Sequence, residues 1–384
     1  MTHSQALILD KEILQFIKNY QDKDTAPDAA FQALALKIFE YQFANNLLYA
    51  RFCRLEGKMP GKISNWKEIP AMPAAGFKEL ILRSFPAKRV VKIFKTSGTT
   101  AERRAPSTTK ASADVSSRFS RGTHWFDTMK LYEASILPPF RKYLFPDGNA
   151  EKLDYFFLMN SPKDAPESSL SHMMGLVNRS FAKGRGCFYF KKGEPRYETL
   201  LKNLSASKRK AILLSTAFSL KGFLEFLKAQ KVTLKLAPGS RLMETGGFKG
   251  RTKEISKKKL IGECTQRLGI PASHCVSEYG MTELSSQFYD TTLWSQSQKT
   301  KQKLCKAGPA WIRAVVIDPR SGREATPGRR GLLRFFDLAN RGSVMAVQTE
   351  DMGRRVGAGF ELLGRAKGSE IRGCSLNYEE FLAG

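Results

Sequence analysis

The chain lacks any apolar run approaching the ~20 residues that cross a bilayer. Its opening stretch MTHSQALILDKEILQ contains acids and no cleavage-type signal. Both features argue against a membrane-spanning or secreted chain and make the cytoplasm the expected compartment. Six cysteines (Cys53, Cys187, Cys264, Cys275, Cys305, Cys374) show no CxxC spacing, and only four histidines accompany them. A zinc site or disulfide framework needs clustered donors, so the thiols read as free. No GxxxxGK[ST] stretch is present, which removes the Walker type of phosphate loop. Internal repeats and low-complexity linkers are also missing. Acids are scarce as well: 36 Asp and Glu face 63 Lys and Arg, leaving a formal charge of +27. Such a charge draws phosphates, nucleic acid or an acidic protein. The bases are spread from Lys11 to Arg372, however, without a zinc-finger, RNA-recognition or helix-turn-helix signature, so nucleic acid is not the expected partner. The densest run, KEISKKKL at 253–260, reads as a solvated helix face.

What is present is a globular composition, 42% hydrophobic and 11% aromatic in 384 residues. Residues 10–56 place apolar side chains at helical spacing and predict two or three packed helices. In IPAMPAAGFKELIL, two prolines force extended backbone before a short helix. From residue 88, strand-like runs (RVVKIFKT, LDYFFLMN, GCFYFKK, AILLST, VTLKLAPG, SRLMETGG) alternate with helical stretches. That alternation predicts parallel βαβ units covered on both faces. After residue 310, two strand-like runs around PRSGREATPG predict an antiparallel hairpin. The expected architecture is one large α/β domain, with an N-terminal helical part (1–87), a core (88–363) and a short tail (364–384).

Two stretches carry chemistry. KIFKTSGTTAERRAP runs from a strand into a loop of small residues, Thr96, Ser97, Gly98, Thr99 and Thr100. Hydroxyls and approachable backbone N–H groups are what a polyphosphate requires. Taken alone, the run is equally an ordinary Ser/Thr-rich turn. Much later, SEYGMTEL at 277–284 follows another strand. There Tyr279 offers a flat face for a purine, Thr282 a hydroxyl for a phosphate and Glu283 a carboxylate for Mg²⁺, a cation that takes oxygen ligands.

TSGTT followed by YGMTE resembles the adenylate-forming superfamily of acyl-CoA ligases, luciferases and peptide-synthetase adenylation domains. The resemblance implies that the first motif wraps the phosphates of ATP and that the second, with Tyr279 and Gly280, binds AMP and Mg²⁺. METGGFKGR resembles the superfamily's glycine-rich strand end against adenine, with Gly246 and Gly247 at the matching positions. QTEDMG resembles the segment whose aspartate, here Asp351, binds the ribose hydroxyls, and LLGRAKG resembles the next motif, whose arginine, here Arg365, contacts the nucleotide. IPAMPAAGFK, SSLSHMMG, GGFKGRTKE and the ending EIRGCSLN together resemble the LuxE-type acyl-protein synthetases. That resemblance implies activation of a fatty acid as its acyl-adenylate, transfer to Cys374, and delivery to an acyl reductase subunit. An acidic acyl carrier protein would also suit the charge. His172, in what reads as a loop after a strand, is either a residue of the acyl pocket or an ordinary core or solvated histidine.

The sequence departs from the superfamily in three places. The C-terminal lid with its catalytic lysine is truncated, since only 19 residues follow Arg365. Ala101 stands where glycine is common after TSGTT, and positive charge there falls to Arg103, Arg104 or Lys110. Readings that compete with the synthetase are an acyl- or aryl-CoA ligase of the phenylacetate-CoA ligase type and a non-catalytic basic scaffold.

Overall fold

A computed structural model describes residues 3–97, 121–246, 256–300, 303–366 and Phe381. The N-terminal apolar pattern folds as α1 (His3–Tyr20), α2 (Asp28–Asn45) and α3 (Leu47–Leu55). Asn46 divides the last two: its extended backbone stops α2, and its side chain accepts the Tyr49 N–H and caps α3. The helices are no separate unit. Gln42 on α2 donates to the Asn340 carbonyl at 2.9 Å and accepts the Met345 N–H at 3.0 Å, deep in the core. The two prolines of IPAMPAAGFKELIL behave as expected. Pro70 lies just before a two-residue strand, β1 (Met72–Pro73), Pro73 ends it, and a single helical turn follows, α4 (Gly76–Glu79).

Next come an antiparallel pair, β2 (Lys92–Lys95) and β3 (Thr123–Phe126), then α5 (Lys130–Leu144), β4 (Asp154–Leu158), α6 (Ser169–Phe181) and β5 (Cys187–Phe188). A small hairpin, β6 (Phe190–Lys191) with β7 (Glu194–Pro195), leads to α7 (Tyr197–Ala206). The alternation continues with β8 (Ala211–Thr216), α8 (Ala217–Ala229), β9 (Arg241–Thr245), α9 (Lys257–Leu268) and β10 (Cys275–Tyr279). The last part holds β11 (Phe288–Asp290), α10 (Thr292–Ser297), β12 (Lys306–Ala307), β13 (Ile312–Ile317), β14 (Arg330–Asp337), β15 (Ala346–Val356) and β16 (Gly359–Arg365).

One 12-stranded sheet organises these elements, in the order β13-β14-β15-β16-β12-β11-β10-β9-β8-β4-β5, with β1 beside β15. From β10 to β5 every pairing is parallel, and from β13 to β10 every pairing is antiparallel. The α/β class read from the sequence holds, and the anticipated hairpin is β13–β14. Helices α5 and α6 pack on one face of the parallel half, α7 to α9 on the other, and α1 to α3 on the antiparallel half. The strand expected at VTLKLAPG does not form. Leu234 and Leu236 instead donate to the Arg267 and Leu268 carbonyls at the end of α9, so alternating apolar residues here pad a helix terminus. KEISKKKL contributes Lys257, Lys258 and Lys259 to the exposed start of α9, as expected.

Arg341, in the turn between β14 and β15, is fully buried. It bonds Asp10 of α1 at 2.7 and 2.9 Å and Asp127 at 3.1 Å. Two carboxylates around one guanidinium supply the compensation that a buried cation needs.

Candidate functional site

Strand β10 is where the sheet changes from parallel to antiparallel. In open α/β sheets, ligands bind in the crevice beyond the carboxyl ends of the strands. The carboxyl ends of β9 and β10 carry Gly246 and the YGMTE segment. Gly246 has φ +75°, a conformation that glycine adopts without steric cost. Thr245 before it donates its hydroxyl to the Glu278 carboxylate. A Cβ on Gly280 would lie 2.4 Å from Glu278 Oε1, so this glycine leaves room for that acid.

The loop after β10 is held from three directions. His124 on β3 donates from Nδ1 to the Thr282 carbonyl at 2.7 Å, the nitrogen being the donor because a carbonyl only accepts. Burial pushes the His124 pKa down to about 4, so the ring is neutral, and Asn340 is its other polar neighbour. Asn340 donates to the Glu283 carbonyl at 2.9 Å. Asp337 accepts the Ser285 and Ser286 N–H groups at 2.9 and 2.8 Å and the Ser286 hydroxyl at 2.8 Å. Burial raises its pKa to about 6 against those bonds. Ser135 of α5 closes the bracket by donating to the Ser285 carbonyl. Within it, Glu283 is only 7% exposed.

The base of the TSGTT loop lies on the same scaffold. Thr96 exchanges both backbone and side-chain bonds with Gly122: its N–H donates to the Gly122 carbonyl, and its Oγ1 accepts the Gly122 N–H, each at 2.8 Å. Thr96 is thus a clasp at the mouth of the loop. His124 stands two residues beyond that clasp, so the two motifs are joined through the His124–Thr282 bond. Ser97 is the last described residue of the first stretch; Gly98, Thr99, Thr100, Gly247 and Cys374 lie outside the described residues.

Asp351 and Arg365 face each other in the β15–β16 register. Tyr279 donates its hydroxyl to Asp351 at 2.8 Å, and Arg365 Nε stands 3.7 Å from the same carboxylate. Arg365 remains 76% exposed in its side chain. The Tyr279 ring packs among Phe288, Phe335 and Phe360 at 5.6 to 6.3 Å. It was expected as an open face for a purine; the aromatic cluster covers much of that face, and its hydroxyl instead orients Asp351. Burial and Asp351 hold the phenol pKa well above its ordinary value, so it keeps its proton.

His172 sits on α6 rather than on the loop expected for it. Ser168 accepts the Ser171 N–H and starts that helix. The ring contacts Glu133 at 2.9 Å and lies near Phe94 and Tyr132. Burial lowers its pKa, and Glu133 opposes that shift. It therefore joins the aromatic lining behind β2 rather than the bracket around Glu283.

Several polar residues escaped the sequence reading. His124 had no motif around it, and Asn340 and Asp337 are far away in sequence. A second group crosses the sheet in one row: Glu244 pairs in register with Ser277, and Asp290 with Lys306. Lys306 is buried, stands 3.1 Å from Asp290 and donates to the Ser277 carbonyl at 2.6 Å. Glu278 flanks the row on the opposite face, buried, with its pKa raised by burial to about 7. The only local signal for Glu278 was its place directly before Tyr279. Among the described residues no cluster of three metal-ligating side chains occurs. A single carboxylate suffices for an Mg²⁺ that arrives on a nucleotide, since such ions are held by one or two carboxylates together with substrate phosphates.

Residues 195–383 match the family model of the acyl-protein synthetase, LuxE. No curated protein matches the chain significantly in sequence. Among solved structures, 2-hydroxyisobutyryl-CoA ligase in an open conformation, in complex with 2-HIB-AMP and CoA, is 13% identical with a TM-score of 0.60, over 89% of this chain and 76% of that one. The same ligase in its postadenylation state is 12% identical, also at 0.60, over 88% and 67%. ATP-bound MatB from Rhodopseudomonas palustris is 13% identical with a TM-score of 0.45, and the chain spans about half of its length, 49%. At these identities the likeness to the 2-hydroxyisobutyryl-CoA ligase establishes the fold, that of the adenylate-forming ligases.

Proposed function

With residues 195–383 carrying a LuxE acyl-protein synthetase domain on an adenylate-forming fold, we propose that the protein activates a fatty acid with ATP and Mg²⁺ and transfers the acyl group to Cys374. The observation that carries this reading is the joining of the two motifs: the TSGTT clasp and the YGMTE loop meet through His124, beside the Tyr279–Asp351–Arg365 set.

In the first step a carboxylate oxygen attacks the α-phosphorus of ATP, the bond from that phosphorus to the α,β-bridging oxygen breaks, and pyrophosphate leaves with the electron pair. Glu283, fixed by its bracketed backbone, would hold the Mg²⁺ that accompanies ATP, and that ion would offset the negative charge of the phosphate oxygens. Thr96, Ser97, Gly98, Thr99 and Thr100 meet the β- and γ-phosphates, and Thr282 meets the α-phosphate. Gly246, Gly247 and Gly280 give the adenine close backbone approach. Asp351, oriented by Tyr279, accepts from the ribose hydroxyls, and exposed Arg365 adds positive charge. Preorganised donors of this kind act without reorganisation cost as charge develops. His172, backed by Glu133, lines the acyl pocket. In the second step the Cys374 thiolate attacks the acyl carbonyl, the thioester bond forms, and AMP leaves. An acyl reductase subunit or an acidic acyl carrier protein then takes the acyl group.

The test incubates the full chain with ATP, Mg²⁺ and radiolabelled fatty acids of several lengths. Hydroxylamine-sensitive label on the protein, lost in Cys374→Ser while pyrophosphate release persists, is the expected result. Label accumulating on added CoA instead assigns the chain to the CoA ligases, and absence of pyrophosphate release with every acid refutes activation altogether.

A further inference from the structure

The β13–β14 turn and the adjoining parts of β15 and β16 surround an open cleft of about 1140 Å³. None of its walls belongs to the nucleotide-facing set described above. Arg320, Arg323, Arg329, Arg330 and Arg354 line it, with Leu363 at its lip. Arg354 is paired with Glu361. The other four arginines are exposed and make no ion pair among the described residues. The acids of the same walls are already engaged. Glu324 meets Lys67 at 2.6 Å and Arg355 at 3.5 Å, and Asp318 accepts the Arg320 backbone N–H at 2.9 Å.

These guanidinium groups are not on a loose tail. Within the turn, Asp318 N–H bonds the Arg323 carbonyl at 2.8 Å, and Ala325 N–H bonds the Val316 carbonyl at 2.8 Å. Gly322, at φ +66°, makes the reversal possible. Four like charges held together by a firm backbone repel one another, and a partner that brings carboxylates removes that repulsion.

We propose that this cleft docks the acidic face of a thiol-bearing carrier protein that receives the acyl group, an inference that rests on the acyl-transfer reading above. Three observations favour a protein over a nucleic acid. Leu363, 45% exposed, gives the cleft an apolar lip that suits a protein surface. Among the described residues no aromatic ring lines the cleft, so bases find nothing there to stack on. The cleft also adjoins β16, the strand after which the chain continues toward Cys374. On the docked carrier, the thiol sulfur attacks the thioester carbonyl while its proton passes to solvent. A new C–S bond forms, the old one breaks, and Cys374 leaves as thiolate.

The test titrates fluorescently labelled holo acyl carrier protein, an acidic phosphopantetheine-bearing protein, with the full chain at about 50 and 300 mM salt. Variants are R320E/R323E/R329E/R330E and the matching quadruple Gln set. Wild type is expected to bind more weakly at high salt; the Glu set should raise Kd roughly 30-fold and the Gln set roughly fivefold. Fatty-acid-dependent pyrophosphate exchange should stay within about twofold of wild type in both, which reports an intact fold and adenylation site. Carrier binding that is absent in wild type, or unchanged in the Glu set, overturns the proposal. So does tighter, arginine-dependent binding of a single-stranded oligonucleotide run as a parallel probe. Loss of pyrophosphate exchange in wild type refutes adenylation instead, and the binding titration still decides the docking surface.

Discussion

Two polar constellations meet at β10, and they bury charge to different ends. The bracket of Asp337, Asn340 and His124 spends its hydrogen bonds on the backbone of residues 282–286. The row of Glu244, Ser277, Asp290 and Lys306 spends its charges largely on itself. The first sets the shape of a loop; the second makes a region of sheet electrically tolerable. A defect in the bracket should therefore be read in catalysis, and a defect in the row in stability.

The largest effect is expected from Lys306→Met, which leaves Asp290 and Glu244 without their buried cation. Removing one partner of a buried pair costs about 3–5 kcal/mol, to be measured by urea unfolding. Adding Asp290→Asn should recover much of that loss; a single variant within ~1 kcal/mol of wild type would remove the row from the comparison. His124→Gln should be milder in stability, about 1–2 kcal/mol. It should lower the pyrophosphate exchange rate at saturating ATP by roughly tenfold, because Thr282 and Glu283 lose one of their supports. Equal rates in the two proteins would make the bracket merely structural.

Acid titration separates the regions by sign. Glu278 has a folded pKa raised to about 7, so the contribution of its protonation is fully present below the unfolded carboxyl value and is lost as pH rises toward 7. His124 has a folded pKa lowered to about 4, so its contribution is present above the unfolded value near 6.5 and is lost as pH falls toward 4. Between those limits Glu278→Gln should make stability rise more steeply with pH than in wild type, and His124→Gln should make it rise less. Slopes that move the same way in both variants would contradict this assignment. The smallest effect belongs to Lys257→Ala. Lys257 also touches Asp290, but its side chain is 49% exposed, so thermal unfolding should register under ~1 kcal/mol.

What the sequence disclosed follows from how local each signal is. Strand β2 before TSGTT and strand β10 before YGMTE were legible because chain neighbours determine them. The α6 helix around His172 was misread although Ser168 already stood at its N-cap position. VTLKLAPG alternates like a strand, and only the carbonyls of α9, 30 or so residues away, decide otherwise. The half-buried setting of Tyr279 depends on Phe335 and Phe360, contributed by the antiparallel half. His124, Asp337 and Lys306 carry no local pattern at all; strand register and turns alone give them partners.

The Arg341 contact with Asp10 spans 331 positions of sequence. On a ribosome adding about 5–20 residues per second, α1 waits roughly 20–60 s before its cation has even been synthesised. During that interval the apolar stripe of α1, with Ile13, Phe16 and Ile17, has no antiparallel half to cover it. Helix α1 can pack on α2 and α5 earlier, but its ion pair to Arg341 closes only once residue 341 has emerged.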